Sequence, residues 1–222
     1  MERELQNRLR WLPHEAPPSA RRESRQRMAA ALRRAIAALI ATDPAPADLD
    51  ALSELAEKLA DRLESGPERE ISYGFAESAN ADTPRFEFDA SPLMGPGNPI
   101  APPLQMQWKD DCVVGTAVFG QQYEGPPGHV HGGFVAAAFD EVLGMAQSLS
   151  GQSGMTGRLV VHYRKPTPLH RELKFEGRVE KREGRKIFTT ATLHDGETLC
   201  AEAEGLFIQV DLARLERFAR GD

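Results

Sequence analysis

The stretch YEGPPGHVHGGFVAAAFDEVLG, Tyr123 to Gly144, decides how the chain is read. Turn-forming residues run into His131-Gly132-Gly133, and the sequence is then almost wholly apolar until Asp140 and Glu141 interrupt it. A segment apolar on nearly every side reads as a buried helix, enclosed by a sheet that turns one apolar face inward. The two glycines at its start leave the first amides open to an oxygen carrying negative charge. An ionisable group on such a helix is costly to bury unless it has partners or a task. At helical spacing Asp140 shares its stripe with Gly133, Ala136, Ala137 and Gly144, small residues that leave room for something to lie against them. Glu141 sits about 100° round the helix, next to Phe134, Ala138 and Met145, and reads as a rim or salt-bridge residue. Asp140 is therefore the candidate reactive acid, the structural alternative being a buried carboxylate bonded to backbone or to a histidine.

Working outward, the period before the helix alternates from Leu104, with Met106 and Trp108 on one face and Val114, Thr116 and Val118 in the next run. After it come four strand-like runs, TGRLVVHYRKP, ELKFEGRVEKREG, RKIFTTATLHDG and ETLCAEAEGLFIQV, joined by short polar turns. The expectation is α+β: about six antiparallel strands wrapped around one central helix. Upstream, Ser24 to Thr42 has helical spacing and stops at Asp43-Pro44, and Leu49, Leu52, Leu55, Leu59 and Leu63 repeat at threes and fours up to ESGPE. These read as a helical hairpin packed on a neighbouring surface, with a lid or partner-docking element as the functional alternative. The divisions expected are a helical extension over 1–70, a proline-rich linker over 71–103, the α+β domain over 104–212 and a tail over 213–222.

Of the 222 residues 41% are hydrophobic and 27% charged, with a net charge of -6, which fits a globular protein and argues against a nucleic-acid-binding surface. Two cysteines, Cys112 and Cys200, form neither a disulfide framework nor a thiolate metal site. No run reaches the length of a spanning helix, and acids interrupt the early arginines as they would not in a transit peptide. A cytoplasmic protein without membrane or metal partner is expected.

Gly132 and Asp140 lie eight residues apart, roughly 12 Å along a helix, too far to meet one carbonyl carbon. A site using both must combine the helix start of one subunit with the acid of another across a two-fold axis. Catalysis here implies a homodimer, with a dimer of dimers as the larger option.

The quoted stretch, with MTGRLVVHYRKPTPL and the EGRKIFTTATL and GETLCAEAEGLFI segments, resembles the hotdog-fold acyl-CoA thioesterases over about Leu104 to Val210. The similarity is to the subgroup of the thioesterase superfamily that includes animal mitochondrial long-chain enzymes, with bacterial phenylacetyl-CoA thioesterases more distant. The His-Gly-Gly, the Asp nine residues after that His, Thr156 sixteen beyond the Asp, and Lys165-Pro166 at the next strand's end all fall in register. The resemblance implies hydrolysis of an acyl-CoA, which brings coenzyme A as part of the substrate and needs no cofactor. It implies Asp140 as general base or nucleophile, the Gly132 amide as carbonyl donor, His131 as shaping that hole with Gly133 beside it, and Thr156 as positioning water. Where the subgroup has a polar amide this chain has His162, which shares strand parity with Thr156 and so is expected on the same side, in reach of substrate or water. Arg158, Arg164, Lys165, Arg185 and Lys186 are candidate phosphate partners or simply solvated charges. A hotdog dehydratase, with a differently spaced motif, and a non-catalytic acyl-CoA binding module are the rival readings.

Overall fold

The computed structural model describes residues 19–68, 88–152 and 154–209. The expected tail, most of the expected linker and the first 18 residues lie outside the described residues. Helix α1 (Ala20–Ala41) begins a turn before the expected Ser24, because Ser19 caps it: its hydroxyl accepts from the Arg22 amide at 3.3 Å. Helix α2 (Pro46–Glu64) opens on proline at its first position, where a missing N–H removes no helical bond.

Among the described residues, α1 is the helix of this pair bonded to the rest of the chain. Arg22 pairs with buried Asp89 at 2.6 Å, and the Arg33 guanidinium donates to the carbonyls of Ala101 and Asn98 at 2.7 and 2.8 Å. The segment it holds, 88–104, is a string of turns, pinned from below by Tyr123, whose hydroxyl donates to the Ile100 carbonyl at 2.9 Å. By contrast α2 buries none of its residues, and Leu52, Leu55 and Leu63 stay more than half exposed. Among the described residues, the expected packing of both helices on a neighbouring surface is therefore seen for the first, while the second has no fully buried residue and only Leu49 and Leu59 of its stripe are part-covered.

Six strands follow: β1 (Gln105–Lys109), β2 (Cys112–Val118), β3 (Gly154–Tyr163), β4 (Glu172–Glu183), β5 (Lys186–Asp195) and β6 (Thr198–Gln209). Every pairing is antiparallel and the order across the sheet is β1-β2-β4-β5-β6-β3, so β3 is an edge. Helix α3 (Gly132–Gln147) lies across the inner face and buries Val135, Ala138, Phe139, Val142, Leu143, Met145 and Ala146. Phe139 meets Phe175 of β4 edge-on, ring centres 5.5 Å apart. Gly177 on the same strand makes the approach possible, since a Cβ there would come within 2.8 Å of Val142. On β1 Met106 and Trp108 share a face as expected and pack towards the helix, while on β2 the buried positions are Cys112, Val113, Gly115 and Ala117, with Val114 and Thr116 half-covered and Val118 exposed.

The helix is not enclosed by its own chain. His131, Gly133, Phe134 and Asp140 are exposed, and Ala136, Ala137 and Gly144 are half-covered, so the small-residue seam forms an open side. Asp140 thus escapes, within one chain, the burial penalty that first singled it out. Among the described residues no helix is long and apolar enough to cross a membrane.

Candidate active site

The loop before α3 sets the helix start. Gly128 takes a positive φ of 75° in the turn that lets the His129 amide reach the Pro126 carbonyl at 2.9 Å. The loop is then tied to the body by Val130 donating to Thr167 and by the His131 amide donating to the Tyr123 carbonyl, both at 2.8 Å. His131 caps the helix, its Nδ1 accepting from the Gly133 amide at 3.0 Å. Its carbonyl accepts from Phe134 at 2.9 Å and Val135 at 3.3 Å. The Gly132 amide has no partner among the described residues, so of the two glycine N–H groups only this one is available to a ligand.

The other half of the site is made by β3, which returns beside the helix. Gln147 places its start, since the buried side-chain amide donates to the Gly154 carbonyl and accepts from the Gly154 N–H, each at 2.9 Å. Two residues on, the Thr156 hydroxyl donates to Asp140 Oδ1 at 2.9 Å. The resemblance gave Thr156 to water; here it holds the carboxylate itself and leaves Oδ2 for another partner. At the far end of the same strand the Tyr163 hydroxyl donates to the Gly132 carbonyl at 2.7 Å.

His162 departs from expectation. The β3–β6 register shifts between Thr156 and Arg158, which leaves Gly157 as the extra residue of a bulge. Thr156 is opposite buried Phe207 on the helix side, whereas Arg158 and His162 are opposite Leu206 and Glu202 on the outer face. One inserted residue reverses the parity, so His162 stands across the sheet from Thr156, 3.8 Å from Glu204. Nor are the five cations gathered. Arg158 is on the outer face; Arg164 pairs with Glu202 at 2.8 Å beside Lys165, near the helix start; Arg185, bonded to the Gln209 carbonyl, and Lys186 lie at the opposite end of the sheet.

Glu141 is not a rim residue. It is half-buried, the Ser91 hydroxyl is 3.4 Å from its Oε1, and no cation pairs with it among the described residues. Burial, then the neighbouring Asp140 charge, push its carboxyl up to about 7, against a small opposing effect of Ser91. Tyr163 and half-buried Glu141 are the features around the candidate site that pattern reading missed. Gly157 inside a strand was the available signal for the bulge that turns Tyr163 inward.

An antiparallel sheet wrapped over one central helix is the hotdog fold. The family described as Thioesterase superfamily matches residues 127–202. A crystal structure of a thioesterase superfamily protein is 34% identical and superposes with a TM-score of 0.75, covering 86% of this chain and 96% of that one. The acyl-coenzyme A thioesterase THEM4 of Xenopus laevis is 40% identical over 93 residues, 41% of this chain and 42% of its own length. The human acyl-coenzyme A thioesterase THEM5 is 30% identical over 95 residues, 42% of this chain and 38% of its own. The chain belongs to the thioesterase superfamily. Its match spans about two fifths of the length of these two named relatives. The solved relative extends further, since the six strands and α3 occupy less than half of the 222 residues and 86% must include at least part of the N-terminal helical region.

Proposed function

We propose that this chain is an acyl-CoA thioesterase, turning an acyl-CoA and water into a carboxylic acid and free coenzyme A. The observation that carries the reading is the pairing of an unpartnered Gly132 amide at the helix start with an Asp140 carboxylate held by Thr156 on the open side of the helix. The Gly132 N–H donates to the thioester carbonyl and stabilises the charge that gathers on its oxygen as the tetrahedral intermediate forms. Asp140 takes a proton from water, which attacks the carbonyl carbon; direct attack by the carboxylate is the other route. Collapse of the intermediate expels the thiolate of coenzyme A, which is protonated to the thiol.

The two groups lie roughly 12 Å apart along one helix and serve one carbonyl only if two copies contribute. We therefore infer a homodimer with two equal sites, each using the helix start of one copy and Asp140 of the other. The partly open seam of Gly133, Ala136, Ala137 and Gly144 supports this, because small residues allow another helix a close approach. Lys165, exposed two residues after Tyr163, is the cation best placed for the phosphates of coenzyme A.

The test is free-thiol release from a panel of acyl-CoAs of different chain length, run beside the Asp140→Asn variant. Turnover by the wild type and its loss in the variant is the expected result. Acyl-CoA binding without thiol release by the wild type refutes the reaction and leaves a binding module.

A further inference from the structure

We propose that Tyr163 is a positioning residue of this site, acting through Gly132; the proposal rests on the thioesterase reading. The peptide unit between Gly132 and Gly133 is gripped at both ends. Its carbonyl accepts from the Tyr163 hydroxyl at 2.7 Å, and its N–H donates to His131 Nδ1 at 3.0 Å. The preceding peptide is fixed through the His131 carbonyl, which accepts from Phe134 and Val135. Gly132 Cα therefore sits between two immobilised planes, and the single polar group left over is the N–H aimed at the ligand.

The grip has a physical reason. Consecutive glycines have more backbone freedom than any other pair, and the first helical turn lacks the bonds that restrain later ones. An oxyanion donor is effective when its direction is set before the charge appears. The Tyr163 ring also lies over Gly132: a Cβ there would stand 3.3 Å from the ring carbon and the hydroxyl, tight enough that the ring would have to give by a few tenths of an ångström. Glycine thus opens the amide to a ligand and admits the tyrosine that steadies it. Tyr163 is 54% exposed, so its ring contributes little to the core, and its hydroxyl serves the helix start. One strand consequently supports both ends of the chemistry, through Thr156 at Asp140 and Tyr163 at Gly132.

Tyr163→Phe keeps the ring and removes only the hydroxyl. The expected result is a fall in kcat of about tenfold, less than the hundredfold or more that follows loss of an oxyanion donor itself. KM should change less than about twofold, and the factor should be the same for short and long acyl chains, since the carbonyl is common to all thioesters. Amide hydrogen exchange gives the second readout: the Gly133 N–H should exchange about tenfold faster in the variant while core amides are unchanged. Wild-type kcat in the variant, or a loss that tracks acyl chain length, overturns the proposal. So does unchanged Gly133 exchange, or a kcat loss matched by a lower melting temperature or a dissociated oligomer. A wild-type protein that releases no thiol from any acyl-CoA overturns the thioesterase reading, and the positioning role of Tyr163 with it. An active wild type with an unaffected variant overturns the Tyr163 assignment alone.

Discussion

Replacing Glu141 by glutamine should stabilise the protein at alkaline pH and leave it nearly unchanged in acid. Glu141 has a half-buried carboxyl raised from 4.5 to about 7, chiefly by burial and secondly by Asp140. Because the folded form holds its proton more tightly than the unfolded chain, the stability tied to this group is fully present below pH 4.5 and is lost as pH rises through about 7. At 1.36 kcal/mol per tenfold, the span from 4.5 to about 7 corresponds to roughly 3 kcal/mol, an upper value because the residue keeps some contact with water. Glutamine has the same shape, stays neutral and can still bond Ser91. Urea unfolding of both proteins at intervals from pH 4 to 9 measures the difference. Glu141→Gln should gain on the wild type steadily from pH 4.5 and level off above pH 8, up to about 3 kcal/mol ahead. Asp140→Asn should shift this dependence to lower pH by removing the neighbouring charge. A wild-type-to-variant difference that does not vary with pH would refute the reasoning.

Asp140→Asn should retain less than a tenth of wild-type kcat with the oligomer intact by light scattering, because it keeps volume and removes the base. Thr156→Val should lose about ten- to a hundredfold in kcat by freeing the Asp140 carboxylate from the Thr156 hydroxyl, and an unaltered rate would make the threonine merely a strand former. For the shared site, Asp140→Asn and Gly132→Pro subunits, each nearly inactive alone, should regain about half the wild-type activity per dimer when purified as a doubly tagged heterodimer. The heterodimer stays inactive if one chain builds the whole site; since a side chain at Gly132 crowds Tyr163, circular dichroism of the Gly132→Pro homodimer is the control. Arg33→Ala removes donors to the Ala101 and Asn98 carbonyls and should lower stability by about 1–3 kcal/mol in chemical denaturation, while kcat stays near wild type because these bonds lie outside the site.

Sequence by itself determined the α+β class and the central helix, with its glycine-rich start and an acid at Asp140 further along, because apolar periodicity and turn residues are local properties that survive without a structure. The resemblance over residues 104–210 drew attention to Thr156, although its bond to Asp140 appears only where Gln147 docks Gly154 and lays β3 beside the helix. Tertiary structure alone decided which face each β3 side chain takes. A period of two is legible only while the register is unbroken, and the bulge at Gly157 sends His162 outward and Tyr163 inward, against the count. Burial of Glu141 was equally hidden, since it depends on a segment fifty residues earlier folding over the helix. The leucine stripe of α2 had the same pattern as that of a packed helix, yet among the described residues none of its leucines is fully buried and Leu52, Leu55 and Leu63 are exposed. Amphipathicity says which face can be covered, and only the three-dimensional arrangement of the chain says whether anything covers it.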